Sequence, residues 1–110
     1  MTRVRPAWIE VDAAAVAHNT ASIRELVWPS LLCAVVKANG YAHGAAEVAA
    51  AALAGGADWL AVALVEEGRE LRDAGITAPI LLLSESPLGA FDEVVSYALC
   101  PTLYTVDGVE

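Results

Sequence analysis

Positive charge is scarce in this chain: of 110 residues only six are lysine or arginine, against fourteen aspartates and glutamates, and Lys37 is the single lysine. The basic residues are scattered, with Arg3/Arg5 and Arg69/Arg72 the only near neighbours, and the net charge is −8. Phosphate binding needs clustered cations, so a nucleic-acid partner is excluded. Cysteine is nearly as rare. Cys33 and Cys100 lie far apart, form no CxxC, and sit in apolar surroundings, so they read as core thiols of a reducing compartment. His18 and His43 belong to no HExxH or Cys/His cluster, and metal-ligand spacing is absent. Long apolar runs are missing too. The longest uncharged stretch, Val94–Val106, has 13 residues and is interrupted by Pro101, short of the roughly 20 a membrane-spanning helix needs. Met1-Thr-Arg-Val-Arg-Pro6 is not followed by an apolar segment with a cleavage site, so a cytoplasmic location is expected.

What is present is apolar. The chain is 57% hydrophobic with a mean hydropathy of +0.54, and with no spanning segment that content belongs to a folded interior. Short apolar runs alternate with helical patterns. Ala7–Val11 reads as a short strand. Asp12 can cap a helix whose Val16, Ile23, Leu26 and Val27 recur at helical spacing before Pro29 ends it. Leu32–Val36 reads as a strand buried on both faces. Ala45–Leu53 is a strong helix former, stopped by Gly55-Gly56 as a left-handed cap. Trp59–Leu64 is the next strand, then a charged helix Glu66–Ala74, with Glu66 beside Arg69, ending at Gly75. Ile80–Leu83 is a strand closed by Ser84-Glu-Ser-Pro87. Leu88–Ala98 is helical with Phe91, Val94, Val95 and Ala98 on one face. Thr102–Val106 is a last strand, and Asp107 the N-cap of a following helix.

Apolar strands separated by helices describe βα units and a parallel sheet. A doubly wound open sheet is the alternative, but its nucleotide-binding version wants G-x-G-x-x-G after the first strand, and none exists here. A complete (β/α)8 barrel takes about 250 residues, so the chain is expected to supply roughly half of one, as a fragment.

Lys37 ends the run Leu31–Val36 and precedes Ala38-Asn-Gly-Tyr-Ala-His-Gly44. In barrels the active groups gather at the C-terminal ends of strands. A lysine there either snorkels its head into water or, if buried, loses its proton readily and suits Schiff-base chemistry. Tyr41 offers a phenol near the amine, either as a packing group or as a donor to an anion. Gly40 and Gly44 allow a tight turn or a close ligand approach.

The segment Ala34-Val-Val-Lys-Ala-Asn-Gly-Tyr-Ala-His-Gly44 closely resembles the pyridoxal-phosphate attachment segment of alanine racemases. Trp8-Ile-Glu-Val-Asp12 with Ala17-His-Asn19 resembles the family's opening. Gly55-Gly-Ala-Asp-Trp-Leu-Ala-Val-Ala63, Glu66–Ile76 and Ala78-Pro-Ile-Leu81 continue the likeness in one register over nearly the whole chain. The resemblance implies an α/β fold, the N-terminal portion of a TIM-type barrel, with residues 1–110 a partial N-terminal domain and a C-terminal β-domain absent. It implies a pyridoxal 5′-phosphate-dependent isomerase that interconverts L- and D-alanine and supplies D-alanine for the cell wall. Lys37 matches the lysine that holds the cofactor and serves as the base on the D-alanine side. Tyr41 matches a tyrosine that hydrogen-bonds the cofactor phosphate.

Ala42 stands where the family usually has glycine, and alanine costs about 1 kcal/mol there if φ is positive. His43 reads as a hydrogen-bonded loop residue rather than a catalyst. The resemblance also implies a homodimer, whose opposite base is a tyrosine of a second subunit's C-terminal domain. Neither Tyr97 nor Tyr104 lies in a matching context, so this chain alone is expected to be inactive. A non-catalytic pyridoxal-phosphate-binding barrel and a racemase of another amino acid are the alternative readings.

Overall fold

Asp12 opens the first element: its Oδ1 accepts the Ala15 N–H at 3.1 Å, satisfying one of the free donors at the start of α1 (Ala13–Val27). The structure, a computed structural model, describes residues 10–109. The expected strand Ala7–Val11 therefore lies mostly outside the described residues, and Glu10 and Val11 are in no strand. After α1 come β1 (Cys33–Val35), a short turn of helix α2 (Lys37–Tyr41), α3 (Ala45–Ala54), β2 (Trp59–Val62), α4 (Val65–Asp73) and β3 (Ile80–Leu82). A 3-10 turn at Leu88–Ala90 leads into α5 (Phe91–Ser96), and α6 (Val106–Val109) follows.

The three strands form a parallel sheet in the order β1-β2-β3, with Ala34 opposite Leu60 and Leu60 opposite Ile80. Alternation puts Ala34, Leu60, Val62, Ile80 and Leu82 on one face. That face carries the core: Val36, Leu60, Val62, Ile80 and Leu82 pack with Ala45 and Ala49 of α3, Val65 and Leu71 of α4, Val94 of α5, and Leu99. The other face bears Cys33, Val35, Trp59, Ala61, Leu81 and Leu83. It is only partly covered: Ala61 at its centre is buried, while Val35 is 39% and Leu83 40% exposed. The expectation of a first strand buried on both faces is corrected here: β1 is exposed at Cys33 and Val35. Cys33 is accordingly no core thiol. Cys100 bridges to Leu81 beyond β3, which sets the two cysteines three strand spacings apart, roughly 14 Å. A disulfide between them is impossible at that separation.

Other differences have local causes. The expected strand Thr102–Val106 is absent. Its pairing is confined to Cys100, whose N–H donates to the Ile80 carbonyl at 2.8 Å and whose carbonyl accepts the Leu82 N–H at 2.8 Å. The Thr102 hydroxyl then donates to Leu82 O at 2.6 Å, and Glu85 accepts the Tyr104 and Thr105 N–H groups, so side chains replace the ladder. Asp107 lies inside α6, and Thr105 caps it by accepting the Gly108 N–H at 3.0 Å. Ile23 and Leu26 face solvent because α1 meets α3 through small residues. A Cβ on Gly55 would lie 2.4 Å from Ala17 O and 2.8 Å from Thr20 Cβ. Gly55 itself has φ −78°, and the left-handed residue is Gly56. Val95 and Ala98 are exposed, while Phe91, Val94 and Tyr97 face the core. Arg69 pairs with Glu93 of α5 at 3.1 Å rather than with Glu66. Arg72 spreads its guanidinium over the carbonyls of Ile76, Ala78, Tyr97 and Ala98 at 2.7–3.1 Å, joining α4 to the ends of its neighbours.

Candidate active site

Lys37 emerges at the C-terminal end of β1, beside the matching ends of β2 and β3. It begins a turn of unusual hand. Ala38, Asn39, Gly40, Tyr41 and Ala42 have φ of 53°, 55°, 65°, 57° and 72°, so five successive residues lie in the left-handed region. The Gly40 N–H donates to Val36 O at 2.8 Å, the Ala42 N–H to Ala38 O at 3.0 Å, and the Gly44 N–H to Asn39 O at 2.9 Å. This is one turn of left-handed helix. Each L-residue other than glycine or asparagine costs roughly 1–2 kcal/mol there, so Ala38, Tyr41 and Ala42 together place roughly 3–6 kcal/mol of strain in the segment. Glycine suits position 40 for a second reason: a Cβ would lie 3.3 Å from both Ala45 Cα and Val48 Cγ2, tighter than ordinary contact.

Two side chains clamp the turn. Asn39 Oδ1 accepts the Ala45 N–H at 2.9 Å and thereby caps α3 from outside its own helix. Glu67 reaches back from the first turn of α4. Its Oε2 accepts the Ala38 N–H at 2.6 Å, while Oε1 accepts the Ala63 and Leu64 N–H groups at 3.0 and 2.9 Å. Charge-assisted bonds of this kind contribute about 1.5–3 kcal/mol each, the scale needed to offset the strain.

The Lys37 side chain is half-buried, not fully buried, and makes no hydrogen bond or ion pair among the described residues. Tyr41 is 55% exposed, and its hydroxyl is likewise without a hydrogen bond among the described residues. His43 Nδ1 lies 3.1 Å from Gly40 O, which makes Nδ1–H the donor and holds the ring in the loop, as expected for a structural histidine. A free amine and a free phenol at one strand end, on a turn with open space beside Gly44, suit a ligand bearing a carbonyl and an anionic group. Among the described residues no group of three or more His, Cys, Asp or Glu could hold a metal. Partial burial pushes the Cys33 thiol above its ordinary value, away from nucleophilic thiolate character.

The alanine racemase N-terminal domain matches residues 11–110. The chain belongs to the alanine racemase family. It is 45% identical over 104 residues to the alanine racemase of Clostridium perfringens, covering 94% of this chain and 27% of that protein. It is 53% identical over 100 residues to that of Synechocystis sp., covering 88% and 27%. Among solved structures, the alanine racemase from Bacillus anthracis with bound L-Ala-P superposes with a TM-score of 0.91 at 38% identity, over 99% of this chain and 28% of that one. The Enterococcus counterpart, alanine racemase from E. faecalis, gives 0.86 at 40% identity, over 90% and 27%. The chain thus spans about a quarter of the length of the curated relatives it matches. Its parallel strands with helices on one side are a portion of the barrel of the alanine racemase N-terminal domain.

Within that alanine racemase framework, Lys37 directly precedes the left-handed turn and Tyr41 lies within it. Ala42 does carry a positive φ, the condition under which alanine is disfavoured against glycine. Glu67 and Asn39 were not singled out by sequence reasoning. The signal for Glu67 was available: it is a glutamate three residues after Leu64, the N-cap position of α4 and the place of the acid in a capping box.

Proposed function

We propose that the protein to which these residues belong is a pyridoxal-phosphate-dependent alanine racemase acting on free alanine, with Lys37 as both anchor and base. The carrying observation is the position of Lys37: a lone amine, without ionic partner among the described residues, at the C-terminal end of a parallel strand. That the chain's relatives are alanine racemases supports the substrate, and one solved neighbour, the alanine racemase of Clostridium difficile, is in complex with cycloserine. Pyridoxal phosphate, when bound, supplies an electron sink that delocalises the pair left at Cα when its proton departs.

Lys37 would hold that group through its amine, by condensation with loss of water; the amino group of alanine would displace it, and the freed Nζ would take or return the Cα proton on one face of alanine. The Tyr41 hydroxyl would donate to the phosphate, and the rigid turn keeps the two groups at fixed separation. Residues 1–110 would form part of the N-terminal barrel domain of a homodimeric cytoplasmic enzyme that provides D-alanine for peptidoglycan. The opposite base and the other phosphate contacts would come from outside these residues, so the 110-residue chain by itself is expected to be inactive.

The test is to incubate the chain with pyridoxal phosphate, reduce with borohydride, and map the product by mass spectrometry. An adduct on Lys37, lost in Lys37→Ala, is expected, together with no alanine racemisation by this length alone. An adduct confined to the α-amino group would overturn the assignment of Lys37.

A further inference from the structure

We propose that Glu67 is a positioning residue for Lys37, acting through the backbone of the turn rather than on any ligand. The proposal rests on the reading of Lys37 as cofactor anchor. One carboxylate saturates three N–H groups on two different strand-end loops: Ala38 after β1, and Ala63 and Leu64 after β2. The first of these belongs to the residue next to Lys37. At 2.6 Å it is also the shortest of the three.

This arrangement has two consequences. Five successive left-handed residues would relax toward ordinary backbone if untied, and relaxation at Ala38 swings the amine of Lys37 and the phenol of Tyr41 together. The clamp at Ala38 prevents that from the β2 side, as Asn39 does from the α3 side. In addition, both oxygens of Glu67 are engaged by backbone donors, and the carboxylate makes no ion pair with the Lys37 amine. The nearest tethering acid therefore fixes the turn while leaving Lys37 Nζ free to meet a carbonyl.

Glu67→Gln separates the two jobs. Its single amide oxygen can keep the Ala63 and Leu64 N–H groups, while its NH2 faces the Ala38 N–H and cannot accept from it. Uptake of pyridoxal phosphate at Lys37, read as borohydride-fixed adduct against cofactor concentration, is expected to weaken about tenfold. Amide exchange at Ala38, Gly40 and Ala42 should quicken, while that of β2 and β3 stays as it was. Asp12→Ala, which removes the remote α1 cap, controls for general loss of stability and should leave uptake unchanged.

If wild type forms the adduct and Glu67→Gln takes up cofactor equally well, the positioning role is wrong and the anchor reading stands. Unchanged exchange across residues 38–42 in Glu67→Gln overturns the role by itself. If wild type forms no Lys37 adduct, the anchor reading falls and the positioning role falls with it.

Discussion

At the scale of single residues, the defining property of the site is backbone hand rather than side-chain charge. Ala42 adopts φ 72°, ψ 11° and is exposed. Ala42→Gly should therefore raise stability by about 1 kcal/mol, less the extra chain entropy glycine brings to the unfolded state. Thermal unfolding of the two chains under the same conditions measures it, and a lower melting temperature for the glycine variant would show that position 42 is not strained. Acid sensitivity also has identifiable sources. The Leu32 N–H, then the Arg24 guanidinium, hold the Asp58 carboxyl below its usual range against a desolvation that opposes them. The Thr105 hydroxyl, then the Tyr104 and Thr105 N–H groups, do the same for Glu85 against the same opposition. Both folded values are depressed, so whatever stability they contribute is present above the ordinary carboxylate range and is lost as pH falls through the folded values.

At the scale of elements, close backbone approach does work that hydrophobic periodicity does not reveal. The meeting of α1 with the end of α3 depends on Gly55 having no side chain. Gly55→Ala should destabilise by about 1–3 kcal/mol through overpacking, since both neighbours in the way are fixed to the backbone. Urea denaturation tests this, and an unchanged midpoint would mean that α1 is not held in the described position. The same contact explains where sequence reading succeeded and failed. β2, β3, α3 and α4 were legible because apolar runs and caps mark them within a few residues of their bounds. The outward positions of Ile23 and Leu26 were not, because periodicity cannot say that the small side of a helix is the docked one. The strand expected at 102–106 failed for a different reason: its β-branched and aromatic residues have the right propensity, but the Thr102 hydroxyl takes the Leu82 carbonyl and Glu85 captures the amides. The position of Lys37 at the C-terminal end of β1 was legible from the apolar run before it. Glu67 was hidden because its partners are backbone groups distant in sequence.

At the scale of the whole molecule, the described sheet has one face packed by helices and one bare toward its edges. The chain measures 49 × 42 × 21 Å with a radius of gyration of 15.6 Å, against about 13 Å for a compact domain of 100 residues. Its surface of 7164 Å² exceeds the roughly 5800 Å² expected for a folded monomer of this mass. Val35 and Leu83 lie on the bare face, and apolar faces left open tend to find partners. The 110-residue chain should associate with rising concentration, as sedimentation velocity would reveal. A single monomeric species across a hundredfold concentration range would argue that this face is covered. The left-handed turn has a consequence of a different kind. Among the described residues, 38–42 are the longest run of the opposite hand, and the geometry there is that of an ordinary helix seen in a mirror. D-alanine introduced at position 42 by chemical synthesis would sit there as comfortably as L-alanine sits in α3, keeping the methyl group while removing the steric penalty. The turn that directly follows Lys37 is thus one for which the genetic code has no ideal residue.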